Sequence, residues 1–375
     1  WDSTAGRYVT GLQPTDEGYV ALVTPSPTLL VLSVHDDPVG EDPELTGAAL
    51  LSLHPGEGGA VVVMPAATVL AEAADLPVLP GDDVETLAGA YRDGGASAVQ
   101  EGMEGLFELA IAETVEVAED GWASLTRPVE PITLASPDPV GDRWPAGTVE
   151  IAADEVGELL WVQGEEESEL VRVSRHRRFW EAWLSQVADS GREAVPGEVD
   201  TGIGLFVDRL ASADLPPSVI DVPMTQANPA GPGGQGEEYL VADSAALAGI
   251  VAAEVPFPQE SEPGARIRIS LLNGTTDVDV GQQAVSPLVE AGAEVAITGN
   301  ADSFEEPSTL FLYTDPALRS DAQSLRNALG TGRIELREAG EGDGASVTDE
   351  GERIDVTVIL GADAPRAIRR LETTG

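Results

Sequence analysis

The chain has 375 residues, and its 20 basic and 66 acidic side chains give a formal net charge of -46. So acidic a protein lacks the basic field that nucleic acid or an anionic membrane surface requires, which argues against both as partners. The absence of cysteine excludes disulfides, thiolate metal sites and cysteine nucleophiles.

The spacing of the histidines, the length of the apolar runs and the composition limit the possible metal sites, membrane segments and cellular locations. The histidines at 35, 54 and 176 lie far apart and show no metal-ligand spacing, so we predict no bound metal. The apolar run from Ala60 contains Pro65 and is shorter than the roughly 20 residues of a membrane span. Because the chain starts at Trp1 without methionine, we expect an N-terminal transmembrane anchor upstream of it. Dispersed carboxylates suit an extracytoplasmic location, and the lysine-free, Ala- and Gly-rich composition resembles that of a GC-rich, actinobacterial-like genome.

The first part of the chain predicts an α/β domain with a mixed sheet. Residues 1–28 are interpreted as a juxtamembrane N-terminal segment, and the domain follows over 29–257. Its strand candidates are the apolar stretches TLLVLSV, GAALLSL, GAVVVMP and TVEVA, with a helical pattern over 84–109. The segment LVRVSRHRRFWEAWL, residues 170–184, predicts a helix with one apolar stripe, and the strand–helix pair SVIDVPM and DSAALAGIVAAEV ends the domain.

A Pro- and Gly-rich linker over 258–265 precedes a second domain over 266–363, with a tail over 364–375. The strand candidates of this domain are RIRISLL, AEVAIT, TLFLYT, RIELRE and DVTVILG. Its second helix starts with Asp315 as N-cap and Pro316 at the first helical position. The element order β-α-β-β-α-β-β predicts a small, compact α/β sandwich.

In its motifs the second domain resembles the LytR carboxy-terminal domain over its whole length. The resemblance is carried by RISLLNGT, AGAEV, GNADSF, LFLYTDP and VTVILGAD, in that order. It implies a bacterial cell-envelope protein in which this domain contacts wall components or partner proteins. The domain shows no paired acid and base and no metal cluster of its own.

Residues 29–257 resemble the LytR–CpsA–Psr catalytic domain, whose members transfer glycopolymers from a polyprenyl-pyrophosphate carrier to peptidoglycan. The motifs are LLVLSVHD, AALLSLHPGEGGAVVVMP, ETLAGAYRDGG and ELVRVSRHRRFWEAWL. The resemblance places binding residues for a phosphate or lipid ligand at Arg172, Arg175 and Tyr91.

The chain departs from the family's motifs where charge is needed. Thr46 and Ala67 stand where the family has aspartates, and Ala66 and Gln163 stand where it has arginines. The aspartates would hold a divalent cation against pyrophosphate, and the arginines would neutralise the leaving phosphate. Since removing one such partner typically lowers the rate by about 10²–10³, we expect a degenerate domain with no catalytic residue and no cofactor. This interpretation makes the protein a pseudoenzyme that serves as a membrane-anchored binding or scaffold module.

The arginine-rich segment has two interpretations. Arg172 and Arg175 share a helix face at i and i+3 and could reach one phosphate. Alternatively they pair with nearby carboxylates, such as Glu165, Glu166 and Glu167, or with other acidic neighbours in the fold. The arginines are followed by three aromatic residues, Phe179, Trp180 and Trp183. These side chains either line a lipid tunnel or anchor the core.

The competing interpretation is an active phosphotransferase that uses Mg²⁺ to attach a polyprenyl-pyrophosphate-linked glycopolymer to peptidoglycan. In that case Asp36, Asp37 and Asp42 supply the metal ligands. The expected partners are a cell-wall glycopolymer, a polyprenyl-phosphate lipid or envelope proteins. The expected location is the extracytoplasmic face of the membrane or the cell wall.

Overall fold

The computed structural model describes residues 12–36, 43–56, 58–70, 84–164, 167–213, 216–227, 239–337 and 353–372. The chain divides into two compact units, each described below by itself. The N-terminal unit comprises Pro27–Phe107 and Ile111–Leu247, and the C-terminal unit comprises Trp1–Ser26, Glu108–Ala110 and Ala248–Gly375. Both units combine helices with a mixed sheet, which confirms the predicted fold class.

The strands are β1 (Val20–Leu22), β2 (Thr28–His35), β3 (Glu44–Leu53), β4 (Gly59–Pro65), β5 (Glu113–Val117), β6 (Ile132–Ser136), β7 (Gly147–Ile151), β8 (Ser218–Asp221), β9 (Met224–Ala227), β10 (Tyr239–Ala242), β11 (Ile267–Asn273), β12 (Ala293–Asn300), β13 (Leu310–Tyr313), β14 (Arg333–Leu336) and β15 (Val356–Leu360). The helices are α1 (Leu87–Phe107), α2 (Glu119–Thr126), α3 (Val156–Trp161), α4 (Glu169–Ser190), α5 (Gly202–Ala211), α6 (Ser244–Glu254), α7 (Val280–Glu290), α8 (Arg319–Leu329) and α9 (Ala364–Glu372). Among the described residues, none of these helices has both the length and the apolarity that crossing a bilayer requires.

The sheet of the N-terminal unit has the strand order β5-β2-β3-β4-β8. Strands β2, β3 and β4 form an antiparallel meander, while β5 and β8 pair in parallel with β2 and β4. The central strands are buried along almost their whole length, so both faces of the sheet are covered. This explains why their sequences are nearly continuous apolar runs instead of alternating ones.

The sheet of the C-terminal unit has the order β1-β12-β11-β15-β13-β14. Strand β11 is central and pairs in parallel with β12 and β15. Helices α7, α8 and α9 contact one another in this unit. Residues 364–372, which we expected to be part of a tail, instead form α9, because Ala364, Ala367 and Ile368 give it an apolar side that is buried.

Strand β1 comes from the segment predicted as a separate juxtamembrane region. It pairs antiparallel with β12, with Ala21 opposite Thr298. The residues around it add backbone hydrogen bonds: Gly18 N donates to Ala301 O at 2.9 Å, and Asn300 N donates to Tyr19 O at 2.7 Å. The sheet of the C-terminal unit is therefore built from both ends of the chain.

Gly299 of β12 provides a test of this pairing. A Cβ atom at Gly299 would lie 2.0 Å from the carbonyl oxygen of Tyr19, so Gly299→Ala must push β1 away. We expect a loss of about 1–3 kcal/mol in the free energy of unfolding of the C-terminal unit, measured by chemical denaturation. Gly281→Ala in α7 is the control, because a Cβ there meets nothing within 4 Å and alanine favours the helix. Equal stability of the two variants would contradict the pairing of β1 with β12.

Candidate functional site

Helix α4 contains the arginine-rich segment, and its aromatic residues are part of the core. Trp180 and Trp183 have ring centroids 5.2 Å apart, and both rings pack against Trp122 of α2. Phe179 meets the Trp122 ring edge-on at 5.3 Å. All four side chains are buried within one hydrophobic cluster. The aromatic residues at this spacing are therefore core anchors that orient α4.

Arg175 is the most deeply buried arginine of this helix, with 1% of its surface exposed. Its Nη1 donates to both carboxylate oxygens of Glu167, at 2.8 and 3.1 Å, and its Nη2 donates to the carbonyl oxygen of Val162. Burial lowers the pKa of Arg175, and the Glu167 carboxylate opposes that shift. The buried guanidinium is thus neutralised from within the protein.

Arg172 is paired in the same way, one turn earlier. Its Nη2 donates to Glu169 Oε2 at 2.7 Å, and its Nη1 lies 3.5 Å from the carbonyl oxygen of Trp161. Both predicted phosphate-binding arginines therefore contact glutamates, as the alternative interpretation of this segment expects. Glu167 is the partner within the acidic run, while Glu165 and Glu166 lie outside the described residues.

His176 completes a cap on the end of helix α3. Its ring Nε2 lies 2.8 Å from the carbonyl oxygen of Leu160. The carbonyls of residues 160, 161 and 162 thus each accept from a different side chain of α4, and we call these donors, Arg172, Arg175 and His176, the cap cluster. Carbonyls at a helix C-terminus lack intrahelical partners, and cationic donors suit the negative end of the helix dipole.

Burial holds His176 in its neutral form. Burial first, and the charge of Arg172 second, lower its pKa to about 3. Strand β3 passes close to the ring, because a Cβ on Gly47 would lie 2.8 Å from His176 Cε1. A neutral imidazole that donates from Nε2 satisfies the Leu160 carbonyl without adding a third positive charge.

Three of the positions at which the sequence resemblance led us to expect charged residues lie at one end of the β3–β4 pair. Gly47 is paired with Pro65, which places Thr46 and Ala66 at the next step of the antiparallel register. Thr46 is the extra residue of a bulge against β2, and its Oγ1 donates to the Ser33 carbonyl at 3.1 Å. Ala66 and Ala67 contribute backbone carbonyls that accept from the N–H groups of residues 88 and 240. This edge therefore carries a short hydroxyl and two methyl groups where a metal site would need carboxylates.

Gln163 lies beside the cap cluster, where its Nε2 donates to the Glu167 carbonyl at 2.7 Å. Tyr91 of α1 lies elsewhere: its Oη donates to Glu116 Oε1 at 2.7 Å. Burial and this carboxylate raise the pKa of Tyr91, with a smaller contribution from Asp36. Tyr91 therefore has an acidic partner different from those of Arg172 and Arg175.

Sequence reasoning missed a second pair at the carboxyl end of β2. His35 Nδ1 lies 2.6 Å from Glu119 Oε1, and its ring stacks on Trp161 at 3.8 Å. The partners are 84 and 126 positions away along the chain, so no local motif could have shown this contact. Within the described ranges, no group of three or more His, Asp or Glu side chains could hold a metal. Asp37 and Asp42 lie outside those ranges.

Comparisons with known proteins bear mainly on the C-terminal unit. Residues 266–363 match the model of the family described as LytR cell envelope-related transcriptional attenuator, which confirms the resemblance of this part. Solved structures similar to the chain include TagV of B. subtilis, with 14% identity and a TM-score of 0.43 over 59% of this chain and 93% of TagV. TagT of B. subtilis has 15% identity and a TM-score of 0.43 over 65% of this chain and 94% of TagT. Lin1025 of Listeria innocua has 12% identity and a TM-score of 0.42 over 61% of this chain and 97% of Lin1025. No curated protein matches the chain.

The burial of His176 predicts a pH dependence of stability. Its pKa of about 3 in the folded protein lies below the ordinary 6.5, so only the unfolded chain takes up this proton as the pH falls. The contribution of His176 to the free energy of unfolding therefore decreases from about pH 6.5 down to about pH 3 and changes no further below that. Between pH 7 and 5 we expect the wild type to lose about 2 kcal/mol more than His176→Gln, which keeps a donor for Leu160. Urea denaturation at both pH values measures this difference, and equal losses would contradict a neutral, buried His176.

The pairing of Arg175 predicts a strong dependence on Glu167. Glu167→Gln removes the charge but keeps an acceptor, and it leaves a buried guanidinium uncompensated, which costs about 3–5 kcal/mol. The matched control is Glu181→Gln, because Glu181 pairs with Arg177 of the same helix but both side chains are partly exposed. We expect at most about 1 kcal/mol for this control. Similar losses for both variants would show that Arg175 does not depend on the carboxylate.

Proposed function

We propose that this protein is a non-catalytic binding or scaffold component of the bacterial cell envelope. In this proposal it is related to the ligases that attach glycopolymers to peptidoglycan but lacks their phosphotransfer chemistry. The observation that carries the proposal is the set of hydrogen-bond partners of the arginines in the cap cluster. Arg172 and Arg175 donate to Glu169, Glu167 and backbone carbonyls of α3, so their hydrogen-bonding capacity serves the fold.

A pyrophosphate could bind these arginines only by displacing their present partners. Breaking a buried ion pair costs about 3–5 kcal/mol, and the carbonyl oxygens of Trp161 and Val162 would lose their donors as well. Glu167 and Glu169 would also remain close to the incoming phosphate and repel it. The site is therefore poorly suited to a diphosphate unless α4 and the residues before it rearrange.

Phosphoryl transfer also needs a cation and donors that stabilise charge in the transition state. Thr46, Ala66 and Ala67 offer neither at the β3–β4 edge. The proposed partners are a cell-wall glycopolymer, a polyprenyl-phosphate lipid or envelope proteins, and the proposed location is the extracytoplasmic face of the membrane. The cell-envelope family matched by residues 266–363 supports this setting.

A second candidate function is an active glycopolymer ligase with its metal ligands near the end of β2. One observation favours it: the charge of Asp36 acts on Tyr91, which already bonds Glu116. Acidic side chains of β5 and of the residue that follows β2 thus lie near one tyrosine that the family resemblance singles out. Under this alternative Asp36 would contribute to binding Mg²⁺.

A turnover assay distinguishes the two functions. The protein is incubated with an analogue of a polyprenyl-pyrophosphate-linked glycan, peptidoglycan fragments as the acceptor and Mg²⁺ or Mn²⁺. Released polyprenyl phosphate and glycan phosphate attached to the acceptor are measured. We expect no turnover above a buffer blank and no metal-dependent rise in melting temperature. Metal-dependent turnover in the wild type that is abolished in Asp36→Asn would overturn the proposal. Native mass spectrometry of the purified protein shows independently whether a polyprenyl lipid is bound.

A further inference from the structure

Strand β14 forms one edge of the sheet in the C-terminal unit. Among the described residues it pairs only with β13, in parallel and with Ile334 opposite Phe311. On that side the Arg333 N–H donates to the Thr309 carbonyl at 3.0 Å. Because the backbone groups of successive residues in a strand point to opposite sides, those of Ile334 and Leu336 point away from β13.

The side chains of β14 are accessible from solvent. Those of Arg333 and Glu335 are 63% and 42% exposed, and Leu336 is 55% exposed although it lies in a strand. Natural sheets usually protect such an edge, because an unpaired strand with an exposed apolar side chain is a template for another strand. The length of β14, four residues, limits this edge to weak pairing but does not close it.

The charges of β14 are self-complementary. Arg333 and Glu335 lie two positions apart on one face of the strand, with their Nε and Oε1 atoms 2.7 Å apart. When two β14 strands lie antiparallel with Ile334 opposite Ile334, Arg333 of each copy lies opposite Glu335 of the other. Oppositely charged residues in directly opposed positions stabilise a strand pair, and like charges destabilise it. The order Arg-Ile-Glu therefore favours pairing of this strand with itself.

The backbone of β14 supports the same register. In an antiparallel ladder, opposed residues that exchange both N–H···O bonds alternate with opposed residues that exchange none. Ile334, whose N–H and C=O point outward, forms the bonded pair with its counterpart. Arg333 and Glu335 then occupy the non-bonded positions, where opposed Cα atoms are only about 4.5 Å apart and the side chains are closest. A shift that places Glu335 opposite itself would oppose like charges and turn the wrong backbone groups toward the second copy.

We propose that β14 is the interface of a symmetric dimer, in which the β14 strands of two copies pair antiparallel about Ile334. Both copies contribute the same surface, as a two-fold interface requires. In this register Leu336 lies opposite Gly332 of the second copy, where the absence of a side chain leaves room for it. The dimer interface goes beyond the proposed binding role and does not rest on it.

The interface is expected to be weak. The net charge of -46 on each chain opposes association, and a four-residue strand offers few hydrogen bonds. Salt screens charges over about 8 Å at physiological ionic strength, so it reduces the long-range repulsion more than the contact pairs. A strand of a different protein would not require β14 to match itself, so the self-complementary order favours a second copy as the occupant.

Exchange of the two charges tests the register. The full chain is studied by analytical ultracentrifugation at about 0.15 M salt, where charges are screened over about 8 Å. R333E places acidic side chains opposite Glu335, and E335R places basic side chains opposite Arg333. We expect each variant to dimerise about tenfold more weakly, because two cross-strand pairs change from attractive to repulsive. An equimolar mixture of the two variants should recover the wild-type affinity, since every cross-strand pair then joins opposite charges.

Disulfide trapping tests the contact at Ile334 directly. The chain contains no cysteine, so I334C forms a disulfide only with a second copy. Opposed residues of a bonded pair have Cα atoms about 5.5 Å apart, which matches the separation that a disulfide spans. The control is V278C, at an apolar residue of the same unit that is 75% exposed. Under mild oxidation we expect I334C to be crosslinked several times faster than V278C.

Four outcomes would overturn the inference. These are a wild type that stays monomeric at millimolar concentration, charge variants that dimerise as the wild type does, a mixture that fails to recover affinity, and crosslinking of I334C no faster than that of V278C. A strand from another protein as the true occupant would appear as the first of these. R333E and E335R change net charge in opposite directions, so weakening by both cannot come from overall charge. Thermal denaturation shows whether each variant is folded, and the charge variants, which alter exposed side chains, decide the matter if I334C unfolds.

Discussion

The capping of helix α3 by side chains of α4 is the interaction on which the proposed site depends. A guanidinium cannot lose its charge at ordinary pH, so Arg175 can be buried only with a carboxylate and carbonyl oxygens around it. Glu167 and the Val162 carbonyl provide these partners. The same contacts hold the corner between α3 and α4 and leave the cap cluster committed to structure. A segment that resembles a phosphate site in sequence thereby becomes a helix cap.

The aromatic core makes this cap rigid. Trp122 of α2 packs against Phe179, Trp180 and Trp183 of α4, so the helix cannot rotate without breaking several large contacts. Deeply buried aromatic side chains contribute much of the stability of a core. The charged and apolar sides of α4 thus support one another, since the aromatic side orients the arginines toward the end of α3.

The C-terminal unit is stabilised by an added edge strand and by the packing of its last helix. Its sheet draws an edge strand from residues 20–22, and Gly299 allows the close approach of the two backbones. The apolar side of its last helix is buried, and the arginines of this helix are exposed on the opposite side. In α9 burial therefore involves apolar side chains, whereas in α4 it includes the charged side chains of Arg172 and Arg175.

By itself the sequence determined the local elements. Apolar runs marked β2, β3 and β4, and the LytR-like motifs marked residues 266–363, because strand patterns and turn residues act over a few positions. Only the tertiary structure decided that β1 joins the C-terminal sheet, that residues 364–372 form a packed helix, and that Arg172 and Arg175 cap α3. The same holds for the contact of His35 with Glu119 and Trp161. The physical reason is that the pairing of buried charges and the addition of edge strands depend on which distant residues meet in space. The local sequence around each residue does not specify these partners.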